Sequence, residues 1–182
     1  MDMSQLLWRF WIYSFFGFLL ETAFAAATHA ERRGRKCRLL LPLCPVYGLG
    51  VLAVLALPAE LTDSFWELAF WGGLTATAVE YAVHWWYQRA LGVFFWDYSA
   101  VVGNLRGRVC LPFSAVWAVL LAAALPAAER WLAPRLPRIP AELIYWLLLV
   151  FTADTACSWQ FLRRTHDTQA LRLFTRGPAD AP

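Results

Sequence analysis

The chain has 182 residues, of which 60% are hydrophobic and 16% charged, against about 45–50% and about 25% in ordinary globular proteins. So short a chain has too little polar surface to cover that much apolar side chain as a soluble domain. Disordered and collagen-like classes are excluded as well, which leaves an integral membrane protein in an all-α, polytopic fold. The net charge is +3, and fifteen of the sixteen basic residues are Arg.

A bilayer crossing needs about 20 mostly apolar residues. Five such segments are predicted, over 6–28, 39–57, 65–88, 109–128 and 141–161, forming one transmembrane domain over 1–164. A short polar tail follows over 165–182. Ala25-Ala26-Ala27 has the look of a signal cleavage site, but no base precedes the apolar stretch and Glu21 interrupts it. The first segment is therefore expected to be retained as a span.

Basic residues set the orientation. The cluster between His29 and Arg38 holds five bases and one acid. Beside spanning segments it reads as a lipid-facing cytoplasmic loop rather than a nucleic-acid patch. With that loop inside, twelve bases fall on the cytoplasmic side, and Arg9, Arg130, Arg135 and Arg138 fall outside. The N-terminus is then out and the C-terminus in. The four cysteines, Cys37, Cys44, Cys110 and Cys157, have no CxxC spacing. They point to neither a metal site nor a disulfide framework. No cofactor is expected.

Ionisable groups inside spans are costly and face the protein interior or water. Ser14, Gly17, Glu21 and Thr28 form one polar stripe; Gly73, Thr77, Glu80, His84 and Gln88 form another; Asp154 and Ser158 share a face. Glu21, Glu80 and Asp154 each lie three or four residues past the middle of their spans, about 5–6 Å toward the cytoplasm. They are expected to converge on one polar pocket, with His84, Arg106, Arg108 and Arg35 as candidate partners. Single acids that merely pair helices are the competing reading.

Arg33-Gly34-Arg35-Lys36-Cys37 returns as Arg106-Gly107-Arg108-Val109-Cys110. Each copy follows a span with a Glu and precedes one with an early proline, Pro42 or Pro112. This suggests a parallel two-helix repeat plus one helix. Pro42, Pro45 and Gly48 predict an irregular or re-entrant start to the second span. Trp96 and Tyr98 fit interfacial anchors, and Asp97 and Asn104 are the better functional candidates of that segment.

These segments carry a resemblance. Tyr13-Ser14-Phe15-Phe16-Gly17 with Glu21, Pro42-Leu43-Cys44-Pro45-Val46-Tyr47-Gly48, Glu80-Tyr81, Trp96-Asp97-Tyr98-Ser99, and Asn104-Leu105-Arg106-Gly107-Arg108-Val109-Cys110-Leu111 resemble bacterial membrane proteins called putative ABC-transporter type IV, or ABC transporter permease. Leu41 stands where that family usually has Gly, and Gln88 where the resemblance leads one to expect a second acid. The resemblance implies a permease subunit in a bacterial cytoplasmic membrane, with a separate ATPase subunit or a homo-oligomer as partner. The chain itself has no Walker A loop. It has neither the nucleophile motif G-x-S-x-G nor the metal motif H-E-x-x-H. Transport is the first expectation. A non-catalytic scaffold or sensor is the second, and an enzyme acting on a lipid or lipid-linked group the third.

Overall fold

The computed structural model describes residues 2–28, 38–140, 142–168 and 171. Arg35, the first RGRxC copy over 33–37, most of the basic cluster and most of the tail lie outside the described residues. The chain is mainly helical, in the order α1 (Met3–Ala27), α2 (Pro45–Leu55), α3 (Phe65–Glu67), α4 (Gly73–Leu91), α5 (Leu111–Leu132) and α6 (Glu142–Thr165). A π-helical turn, Leu68–Gly72, joins α3 to α4, so residues 65–91 form one unbroken rod.

Local chemistry sets the helix starts. Asp2 accepts from the Gln5 N–H at 2.8 Å and caps α1. Ser64 and Glu67 form a reciprocal capping box at α3. Proline stands in the first turn of both α2 and α5, where its missing N–H costs nothing. Gly92, at φ +68°, ends α4 in the left-handed conformation.

α1 and the stretch Leu111–Arg138 are long and apolar enough to cross a membrane. α2 is a difference from expectation. It has 11 residues, about 16 Å of helix at 1.5 Å per residue, so the predicted second span is only half helical. Residues 38–44 approach it as irregular backbone, with Arg38, Leu43 and Cys44 buried. A second difference is a small antiparallel ribbon in the otherwise helical chain. Asn104–Leu105 pairs with Val109–Cys110, in register Asn104 to Cys110. Arg106 and Gly107 both have positive φ, and the Arg108 N–H returns to the Leu105 carbonyl at 3.1 Å. This is the geometry of a hairpin turn matched to strand twist.

α2 sits between α1 and α4, and α4 also packs on α5. α6 lies against α1 and α4. One core joins Val51 and Val54 of α2, Leu68 of the π turn, and Ala122 and Leu125 of α5. Leu171 is fully buried against Leu91, Val93 and Leu162. At that position the segment expected to be a polar tail is packed on the helices.

Candidate functional site

α1 and α2 interlock through glycines. A Cβ on Gly17 would lie 2.2 Å from the Tyr47 ring, and one on Gly48 would lie 2.4 Å from the Phe10 carbonyl oxygen. The Tyr47 ring therefore lies on α1 over Gly17, and its hydroxyl donates to Glu21 one turn further on. Gly50, on the same helix, has open space. Gly48→Ala is expected to destabilise the protein by about 1–3 kcal/mol through overpacking, and Gly50→Ala to be tolerated. Thermal unfolding of the purified variants checks both.

The irregular segment before α2 is satisfied from α6. The Leu40 and Leu41 N–H groups donate to the two carboxylate oxygens of Asp154, each at 3.0 Å. The Leu39 N–H donates to Ser158 Oγ at 3.0 Å, Leu43 to the Leu41 carbonyl, and Cys44 to the Ser14 carbonyl at 2.9 Å. Pro42 has no N–H, so every donor from Leu39 to Cys44 has an acceptor. Cys44 itself is fully buried. The Arg38 guanidinium lies 4.1 Å from the centre of the Phe151 ring and donates to Thr155.

The ribbon segment closes against α4. Tyr98 donates to Glu80 at 3.2 Å, and His84 Nε2 lies 3.0 Å from the Trp96 carbonyl. A carbonyl only accepts, so this nitrogen carries the proton. Trp96 Nε1 donates to the Arg108 carbonyl at 2.8 Å. Asp97 accepts from the Ser99 N–H at 2.8 Å. That bond, with help from the Ser99 hydroxyl, holds its carboxyl below the usual range. Asn104 donates to the Ser99 and Val101 carbonyls and accepts from the Gly107 N–H. A Cβ on Gly107, at φ +69°, would lie 2.7 Å from Asp97 Oδ1, so glycine is needed there twice over. Cys110 is buried with Trp96 and Tyr98 in one small core.

Arg106 occupies the turn, whereas Arg108 faces α4. It donates to Tyr81 Oη at 2.6 Å and Gln88 Oε1 at 2.8 Å, with its guanidinium 4.9 Å from the centre of the Tyr81 ring. Gln88→Glu would turn the second bond into an ion pair. A gain of up to about 1 kcal/mol is expected at this exposed site. The gain should fade at high salt, as unfolding at two ionic strengths will measure.

A cavity of about 450 Å³ lies between α1, α2, α4 and α5. Its wall includes Gly17, Tyr47, Val51, Ala76, Trp117 and Leu121, with Glu80 as the carboxylate. Glu80 is 6% exposed. The three acids that the sequence suggested would meet accept hydrogen bonds from different partners. Glu80 lines the cavity and Glu21 holds Tyr47, another lining residue. Asp154 and His84 are outside the lining, the first supporting the backbone before α2 and the second pinned under Trp96. Arg108 is likewise engaged on Tyr81 and Gln88.

The sequence reading missed a polar group at the end of the same cavity. Arg9 grips Glu129 through Nε (3.2 and 3.0 Å) and through Nη2 (3.0 Å). Tyr13, a lining residue, donates to Glu129 at 2.9 Å. The available signal was an Arg near the start of the first span and a Glu at the end of the fourth, which antiparallel packing brings to one level.

α1 and the stretch Leu111–Arg138 are long and apolar enough to cross a membrane, an ion pair joins α1 to α5, and an apolar cavity with one carboxylate lies beside them. The family described as putative ABC-transporter type IV matches residues 8–159, and the chain belongs to it. No curated protein and no solved structure matches the chain.

Proposed function

We propose that the chain is a transporter or permease subunit of a bacterial cytoplasmic membrane, with five crossings, N-terminus outside and C-terminus inside. The observation that carries this reading is the apolar cavity between α1, α2, α4 and α5 with the buried Glu80 in its wall. Such cavities, mostly apolar with few polar groups, are the usual form of small-molecule sites.

Aromatic placement supports the third crossing. Trp66 and Trp86 are both exposed and stand 20 residues apart on the rod 65–91. That separation is about 30 Å, the thickness of the hydrocarbon layer, with a tryptophan at each boundary. α6 has 24 residues, about 36 Å, which is ample for a fifth. The exposed Trp131, Tyr145 and Trp146 lie at the ends of α5 and α6 that share the outer side in this topology. Of the four bases assigned to the outside, Arg9 is neutralised by Glu129 and Arg135 stacks on Trp131 at 4.2 Å. The second crossing combines the short α2 with the irregular segment, whose backbone donors from Leu39 to Cys44 are satisfied by protein, as the bilayer interior requires. A separate ATPase subunit or a second copy of the chain completes the pathway, since this chain has no nucleotide loop.

In this reading Glu80 is the pocket's acid and Glu21 shapes it through Tyr47. His84, Arg108 and Asp154 position the surrounding backbone. A scaffold or sensor is the second reading, favoured by the many acids used to join helices, Asp154 and Glu129 above all. Solute content separates the two. Mass spectrometry would compare cells and medium for the native strain, a deletion strain and a strain carrying Glu80→Gln. Transport predicts that at least one small solute shifts on deletion and that Glu80→Gln reproduces the shift while the protein accumulates normally. Full complementation by Glu80→Gln would favour the scaffold.

A further inference from the structure

We infer that the cavity seats one acyl chain of a bilayer lipid, which enters sideways between α1 and α5. This rests on the reading of the chain as membrane-spanning, and it names what the cavity holds.

The wall asks its occupant for neither charge nor hydrogen bonds, because the polar groups beside it are already bonded to protein. Tyr98 donates to Glu80 at 3.2 Å, Tyr13 donates to Glu129, which Arg9 neutralises, and Tyr47 donates to Glu21. The rest of the lining is aliphatic and aromatic, and includes the buried Val51 and Leu125. An ordered water needs several polar partners, and such a wall offers few. Space is also kept open. Gly50 lines the cavity and is buried, yet a Cβ on it would meet nothing within 4 Å. Protein interiors are otherwise close-packed, and an apolar wall with nothing against it forfeits its dispersion contacts. Hydrocarbon restores them.

Shape and access point to a chain. The lining runs along α5 from Trp117 through Leu121, Ala124 and Ala128 to Trp131. From Trp117 to Trp131 is 14 residues, about 21 Å of helix. The hydrocarbon of one leaflet, half of the layer, is about 15 Å deep. Trp131 is exposed and carries the Arg135 guanidinium 4.2 Å from its ring centre, an aromatic and basic pair suited to the headgroup level. α1 and α5 are bridged near that end by Arg9 and Tyr13 on Glu129, and near the other by Phe24 on Phe113, with ring centres 6.2 Å apart. Between these bridges Phe16 and Leu20 of α1 and Leu120 of α5 line the cavity and are also exposed. Both helices are long and apolar enough to cross a membrane, and with both in the bilayer this opening meets hydrocarbon.

Photolabelling tests this. The full chain is reconstituted in phosphatidylcholine vesicles containing a phosphatidylcholine with a diazirine midway along one acyl chain. After irradiation, mass spectrometry locates the adducts. Phe70 and Leu149 are exposed residues outside the cavity lining, and they report lipid contact at the outer surface. Adducts are expected at these two and also at Val51 and Leu125, which only an inserted chain reaches. Gly50→Leu and Ala124→Phe, on different helices, each fill the cavity, and the pair covers the case in which one fails to fold. Each should cut labelling at Val51 and Leu125 about tenfold, equivalent to about 1.4 kcal/mol, and leave Phe70 and Leu149 unchanged. Adducts at Phe70 and Leu149 with none at Val51 and Leu125, or labelling of Val51 and Leu125 that is indifferent to both variants, would overturn the inference and leave the membrane reading standing. Absence of adducts at all four positions would remove the membrane reading itself, and the inference with it.

Discussion

Replacing Asp154 by Ala is expected to destabilise the protein by about 2–5 kcal/mol, since each buried donor left without an acceptor costs about 1–3 kcal/mol. Two such donors are at stake, the Leu40 and Leu41 N–H groups, and Ser158 loses a partner at 3.3 Å as well. Asp154 is 1% exposed, so its carboxylate is shielded from water. Asp154→Asn keeps one acceptor oxygen and should lose about half as much. The measurement is thermal or denaturant unfolding of the purified variants. Proteolysis at 38–44 gives a local readout, because that segment is the one released. A loss in Asp154→Ala no larger than in Thr152→Ala, an exposed neighbour whose hydroxyl only returns to its own helix, would remove the capping role.

The second large effect concerns Arg9 and Glu129. Either single substitution, Arg9→Ala or Glu129→Ala, should cost about 3–5 kcal/mol, because it leaves a lone charge where two were matched. Replacing both with apolar residues, Arg9→Met with Glu129→Leu, should recover most of that loss, since desolvation of a buried pair offsets much of its attraction. A double-mutant cycle followed by unfolding reads the coupling directly. Additive losses would mean that the two charges are solvated independently and that α1 and α5 are not clasped there. The pair also matters for the cavity, because Tyr13 joins Glu129 to its wall. Breaking the clasp should therefore alter the cavity wall as well as stability.

The interlocking glycines show how motif and packing meet. Gly17 and Gly48 belong to the segments that carry the family resemblance. Their role is steric, since each removes a Cβ that would strike the neighbouring helix. Gly107 differs, because it also takes a backbone conformation that other residues resist. Asp97 and Asn104, expected to be functional candidates, organise the same turn through backbone hydrogen bonds. Their contribution to the site is to set Tyr98 against Glu80.

Much was legible from the chain alone. A 60% apolar composition with charge confined to a few places points to a membrane solvent. The caps at Asp2, Ser64 and Gly92 emerged only with the structure, though each acts over one turn. The irregular start of α2 followed from Pro42 and Pro45 for the same local reason. Family membership rests on short motifs and was readable in the same way. The destinations of the acids were not legible. Depth along a span places Glu21, Glu80 and Asp154 at one level, but says nothing of the azimuth at which each helix presents its acid to its neighbours. Tertiary packing set that azimuth, turning Glu80 to the cavity, Glu21 to Tyr47, and Asp154 to backbone N–H groups more than a hundred residues away. Backbone donors are carried by nearly every residue, so no sequence pattern marks the two that Asp154 accepts. The sequence determined that acids stand inside three largely apolar segments; only the packing of α1, α2, α4 and α5 decided that one of them would line an apolar cavity.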